Sequence, residues 1–195
     1  MLRLMGFHIT GDAAADAVLD ASPFAVLVGM LLDQQYPMEH AFRGPSKIMD
    51  RFHTLDPATI ADADPGDFAT MCATTPAVHR YPASMATKIQ AVARIVVDEH
   101  GGHAERIWTE ATDGEDLVKR VEALPGFGRQ KARIFSALVA KQLGAAPAGW
   151  QQAVGDYALD GYRSVADVVD TESLEKVRAY KQQQKKAAKS PAATS

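Results

Sequence analysis

An all-α fold is predicted from three features of the chain. Apolar residues recur at helical spacing along most of its 195 residues. Helix starts are marked by a capping residue followed by proline, at Ser22–Pro23, Asp56–Pro57 and Asp64–Pro65. No stretch alternates apolar and polar residues as a half-buried strand requires, and no segment repeats another.

The elements follow in order. Met1 to Thr10 is short and apolar and reads equally as a strand or an N-terminal arm. Gly11–Asp12 breaks the chain, and Ala13 to Leu19 is a short helix. Ser22 caps the next helix, with Pro23 at its first position. That helix, "FAVLVGMLLDQQ", is apolar on nearly all sides through Leu32, so it belongs in a core; it is too short to span a bilayer. Pro37 closes it. "MEHAFRGPSKIMDRF" gives two helical pieces parted at Gly44–Pro45, and the two Asp–Pro pairs open two more. After the proline-bearing link "TTPAVHRYPAS", Ser84 to His100 is a long amphipathic helix, with Ile89, Val92, Ala93, Val96 and Val97 on one face. Gly101–Gly102 stops it. Glu105 to Trp108 is one turn, and Gly114 to Ala123 is a helix carrying Leu117, Val118 and Val121. A glycine turn and a basic helix follow. Beyond Gly144 come a loop, Trp150, a short segment and a last helix from about Thr171.

Composition sets bounds. With 47% apolar residues, the chain can bury a sizeable core as one domain or as two small lobes sharing one. A net charge of −3 neither marks a nucleic-acid binder nor excludes a local basic patch. The single cysteine, Cys72, rules out a disulfide framework and a cysteine-ligated cluster; it reads as a core residue and suits a reducing compartment. The six histidines are scattered without a ligand pair at one-turn spacing, so no transition metal is expected. No membrane span and no signal-peptide plan are read.

The chemistry concentrates in "LPGFGRQKA", residues 124–132. Pro125 presets one turn dihedral, and Gly126 and Gly128 permit left-handed or closely approached backbone. The helix from Arg129 then turns its unpaired N–H groups and positive dipole end outward. Arg129, Lys131 and Arg133 add cations, and no acid lies between Leu124 and Leu143. Such a site suits a nucleic-acid phosphate. The same turn also serves as a plain corner between two helices, and a helical interaction module stays open on that reading. The context is not that of a nucleotide-binding P-loop, because no strand precedes the turn and Lys131 is not followed by Ser or Thr.

"LPGFGRQKA" resembles the helix-hairpin-helix of the base-excision DNA glycosylases, the HhH-GPD superfamily that includes endonuclease III and the adenine and alkylbase glycosylases. "FAVLVGMLLDQQ" resembles the early core helix of that superfamily, and "KIQAVARIVVDEHGG" its long middle helix, in the family's order. The resemblance covers roughly Pro23 to Gly144. Residues 181–195 depart from the family's pattern and read as a basic, disordered tail; the resemblance implies a bilobal helical fold over residues 1–180 with a DNA-binding cleft between the lobes. It also implies double-stranded DNA, damaged or mismatched, as partner of a monomer. A cytoplasmic location is then expected, at the nucleoid in a prokaryote.

Site residues carried over from the resemblance are Gly126, Phe127 and Gly128, with Arg129 and Lys131, for the phosphate beside the target nucleotide. A monovalent cation, K⁺ or Na⁺, is implied at the turn carbonyls of residues 124–128. Gln35 falls where some relatives insert a side chain into the DNA stack; read alone, it is a solvent-facing residue at a helix end. The lysine with which strand-cleaving relatives form a Schiff base corresponds to Gln130, whose amide cannot serve, so lyase activity is not expected. Lys131, one residue on, is rotated by about 100° around the helix and reads as facing phosphate or solvent. The family's catalytic acid has no counterpart at its usual distance past the hairpin; Asp156 comes several residues late. Either the loop delivers Asp156 as the catalytic carboxylate or the acid is absent. Two functions follow, a monofunctional DNA glycosylase or a glycosylase-like protein that binds DNA without cutting. The four-cysteine iron–sulfur site of some relatives is missing.

Overall fold

The computed structural model describes residues 6–189, and among them there is no strand. The described residues form the helices α1 (Ala13–Ala21), α2 (Pro23–Leu32), α3 (Met38–Phe42), α4 (Gly44–Phe52), α5 (Pro57–Asp62), α6 (Pro65–Ala73), α7 (Pro82–His100), α8 (Arg106–Thr109), α9 (Gly114–Glu122), α10 (Arg129–Gln142), α11 (Trp150–Val154) and α12 (Thr171–Lys189). Two 3-10 turns, Gly155–Ala158 and Val165–Asp167, join α11 to α12.

Local chemistry sets most boundaries. The Ser22 hydroxyl accepts from the Ala25 N–H at 3.1 Å, and Pro23 occupies the first turn of α2. Asp56 and Asp64 cap α5 and α6 in the same way, at 2.8 and 2.9 Å. Gly101 closes α7 in the left-handed conformation. Of the N-terminal stretch, residues 6–10 form neither strand nor helix. They are pinned instead by buried Asp16, which accepts from the N–H groups of Ile9 and Thr10; residues 1–5 lie outside the described part.

The fold is bilobal. In one lobe α1 to α4 pack together, and α7 packs on α5 and α6; in the other, α9, α11 and both 3-10 turns surround α10. Residues 24–32 of α2 are all buried. Each large apolar side chain so buried stabilises the fold by roughly 1.5–3 kcal/mol before entropy is counted. Cys72 is part of this core, and burial pushes its thiol up to about 12.

Two boundaries depart from the sequence reading. First, α2 ends at Leu32, well short of Pro37. Gln35 takes a left-handed φ of 53° and the Gln34 carbonyl is taken by a side chain, so the helix cannot continue. Second, α12 does not fray into a tail at residue 181 but runs to Lys189. Arg178 pairs with Glu39 and Lys181 with Asp33, which ties α12 across to the α2–α3 corner. The rest of the expected tail, residues 190–195, lies outside the described residues.

Candidate nucleic-acid interface

The hairpin is built from α9, the turn over residues 123–128 and α10. Gly126 has a φ of 84°, and a Cβ there would lie 2.5 Å from Leu31 Cδ1. The turn therefore needs glycine both for its dihedral and for its approach to α2. Gly128 differs. Its φ of −91° and ψ of 173° are open to any residue, and a Cβ would meet nothing within 4 Å. No side chain caps α10, and the N–H groups of Gly126 and Gly128 meet no acceptor among the described residues. The positive end of α10 thus opens to solvent over bare backbone.

Phe127, between the glycines, does not share in this surface. Its N–H donates to the Leu124 carbonyl at 3.1 Å, and its ring is 6% exposed and lies edge-on to Phe135. The cations also differ from the sequence reading. Although no acid lies within the hairpin's second half, Arg129 bonds Glu115 at 2.7 Å and Glu122 at 3.1 Å, both on α9. The Arg129 guanidinium holds the Glu115 carboxyl below its ordinary range. Arg133 braces α11 by donating to the Ala153 carbonyl.

Lys131, read as facing phosphate or solvent, turns inward. Its Nζ donates to the Leu31 carbonyl at 2.9 Å, across 100 residues of chain. This carbonyl is among the last of α2, without an intrahelical partner. Gln34 is held likewise: His79, buried, donates from Nε2 to the Gln34 carbonyl at 3.0 Å while its Nδ1 accepts from the Tyr81 N–H at 3.0 Å. Those partners fix the neutral tautomer with its proton on Nε2, and burial lowers the ring's pKa. Tyr36 packs on His79 with ring centroids 4.7 Å apart. Gln35 projects, exposed, from this clamped tip.

Burial, assisted by the charge of Lys88 and opposed by that of Asp33, pushes the Lys131 amine down to about 8. An NMR titration of its Nζ is expected to show a midpoint near 8; a midpoint near the ordinary 10.5 would mean that the amine is solvated and not held against Leu31. Between those two values the unfolded chain binds more protons than the folded one, so stability rises with pH across the window. The cost of the buried charge is fully present below about 8, and Lys131→Met removes the slope.

Asp156 is exposed on the first 3-10 turn. That turn flanks the start of α10, since Gln130 Nε2 donates to the Tyr157 hydroxyl at 3.0 Å. The Asp156 carboxylate meets no partner among the described residues. Trp150 is half-buried at the start of α11, its backbone against Gly114.

One carboxylate the sequence reading passed over stands at the C-terminal end of α2, facing α12. Asp33 follows α2, its side chain 11% exposed, its Oδ2 3.2 Å from Lys181 Nζ. It lines a groove of about 490 Å³ with Gln35, Tyr36 and Met38 on one wall and Arg178, Lys181 and Lys185 of α12 on the other. The signal was present in "LLDQQ": an acid at the C-terminal end of an apolar helix opposes the helix dipole. Among the described residues no cluster of His, Cys, Asp or Glu could hold a metal ion.

The family model for the HhH-GPD superfamily base excision DNA repair protein matches residues 28–193. No curated protein matches the chain. Solved structures similar to it include a thermostable thymine-DNA glycosylase, 14% identical, with a TM-score of 0.42 over 88% of this chain and 77% of that one. Another is a trapped covalent intermediate of endonuclease III with DNA, an estranged-adenine complex, 14% identical, with a TM-score of 0.45 over 86% and 79%.

Proposed function

The chain belongs to the HhH-GPD superfamily of base excision DNA repair proteins, and from that premise we propose that it is a monofunctional DNA N-glycosylase acting on a damaged or mispaired base in double-stranded DNA. The observation that carries this reading is the bare backbone at Gly126 and Gly128, set beside the clamped tip of α2. The glycine N–H groups and the open end of α10 bind the phosphate flanking the target nucleotide. Gln35, strained in the left-handed region and exposed, fills the space left in the stack when the base is extruded.

Base release breaks the bond from C1′ to the base nitrogen. The sugar passes through a cation, which a nearby carboxylate in a water-poor cleft stabilises. Two carboxylates beside this site are not held by an arginine, Asp156, exposed beside the start of α10, and Asp33 at the end of α2; Glu115 and Glu122 are taken by Arg129 and Glu39 by Arg178. A monovalent cation at the turn would draw on the carbonyls of residues 124–128, of which those of Leu124 and Gly128 also accept from Phe127 and Ala132. It would stiffen the turn and take no part in bond breaking.

Strand cleavage is not part of the proposal. Gln130 has no nucleophilic nitrogen, and the Lys131 amine is tied to Leu31. The test is single-turnover base release from duplexes holding one G·T or G·U mispair, one 8-oxoguanine or one alkylated purine, with borohydride present in a parallel arm. Release without a trapped covalent complex is expected. Efficient trapping that disappears in Lys131→Ala would make the protein a glycosylase-lyase. Tight, salt-sensitive binding without release from any duplex would favour a second reading, for which the exposed Asp156 speaks, that of a DNA-binding protein without catalysis.

A further inference from the structure

Asp33 pairs with Lys181 and so tethers α12, and the same side chain also lines a groove. The C-terminus of α2 is the negative end of its dipole, and a carboxylate there is unfavourable by a few tenths to about 1 kcal/mol. A neutral residue would end the helix at least as well, since it is the Asp33 backbone N–H, not its side chain, that bonds back to Met30. The side chain is nevertheless almost buried, and it is held by a lysine from α12, 148 residues away in sequence. Only Oδ2 meets that lysine; Oδ1 has no donor among the described residues, and the residue lines the groove. The groove's volume of about 490 Å³ falls within the range of small-ligand sites, roughly 300–1,000 Å³. Gln35 stands on its rim, two residues from the acid, and Tyr36 offers an aromatic wall. The hairpin adjoins the same tip, through Lys131 on the Leu31 carbonyl and Gly126 against the Leu31 side chain.

Resting on the glycosylase reading, we infer that Asp33, rather than Asp156, is the carboxylate that faces the sugar of the extruded nucleotide. As the bond from C1′ to the base breaks, its electron pair leaves with the base, which takes a proton from solvent. The Asp33 carboxylate stabilises the positive charge spread over C1′ and the ring oxygen. A water held at Oδ1 then adds its oxygen to C1′ and gives a proton to Asp33, which returns it to solvent. One water is consumed, and the products are the free base and an abasic sugar hydroxyl. Lys181, on the facing wall of the groove, fixes the carboxylate's direction through Oδ2.

The experiment uses the full chain and the duplexes named above. On whichever duplex the wild type processes, Asp33→Asn and Asp33→Ser are expected to slow single-turnover base release by about 100-fold or more, the scale of losing one transition-state electrostatic partner. Duplex affinity and helical circular dichroism, measured on the same samples, should stay close to wild type and so show that the variants are folded. Asp156→Asn is run beside them. Release retained within about 3-fold in folded Asp33→Asn, or a comparable loss in Asp156→Asn alone, would overturn the assignment and leave the glycosylase reading standing. No release by the wild type from any duplex would overturn that reading, and this inference with it.

Discussion

Gly128→Asp is expected to weaken duplex DNA binding by on the order of 10–100-fold at low salt, without loss of fold. The backbone at this position is extended and a Cβ would enter open space, so the substitution causes no strain or clash. Aspartate is also a favoured helix cap, and its charge suits the dipole at the start of α10. The melting temperature should therefore hold or rise slightly. The same carboxylate, though, occupies the place proposed for the phosphate, competes for the same N–H groups and repels the DNA backbone. Gly128→Ala adds bulk without charge and should change affinity far less. The gap between the two variants should narrow as salt screens the repulsion. A folded Gly128→Asp protein with wild-type affinity at every salt concentration would remove the hairpin from the DNA interface.

Gly114→Ala should be the most destabilising single methyl in the hairpin. A Cβ at Gly114 would lie 2.4 Å from Trp150 Cα, 2.5 Å from Trp150 N and 2.6 Å from Gly149 C. These are backbone atoms, so no side chain can swing away; α9 and α11 must part. The Gly114 N–H also donates to the Ala148 carbonyl at 2.8 Å, and that bond would lengthen with them. Overpacking of this kind costs about 3 kcal/mol, more than the helix propensity gained over glycine. For a chain of this size that is a fall in melting temperature of roughly 6–12 °C. Calorimetry of the variant checks it, and a melting temperature within about 2 °C of wild type would show that α9 and α11 are not packed backbone to backbone. Since α9 carries the hairpin turn, the same variant should also loosen DNA binding, but only as a consequence of lost packing.

The sequence by itself determined what depends on neighbours a few positions away. The caps at Ser22, Asp56 and Asp64, the stop at Gly101, the buried character of α2 and the glycine turn before α10 are each decided by residues within about one helical turn. So was the all-α class, because the spacing of apolar residues is local to each helix. The site was only half legible by this means. Gly126 could be read, since backbone freedom belongs to the residue type; Gly128, extended and open to a Cβ, makes no use of it. The direction of a long side chain could not. Whether Lys131 meets a phosphate or the Leu31 carbonyl depends on where α2 lies, a hundred residues earlier. Arg129 looked unpaired because the acids that take it sit on the opposite arm of the hairpin. Phe127 looked like part of an exposed turn until Phe135 received its ring. The extension of α12 and the burial of Asp33 are one event, an ion pair spanning 148 residues. Pairing over such distances is set by how the helices come together, so only the tertiary structure decided which charges meet across the α2–α3 corner and α12.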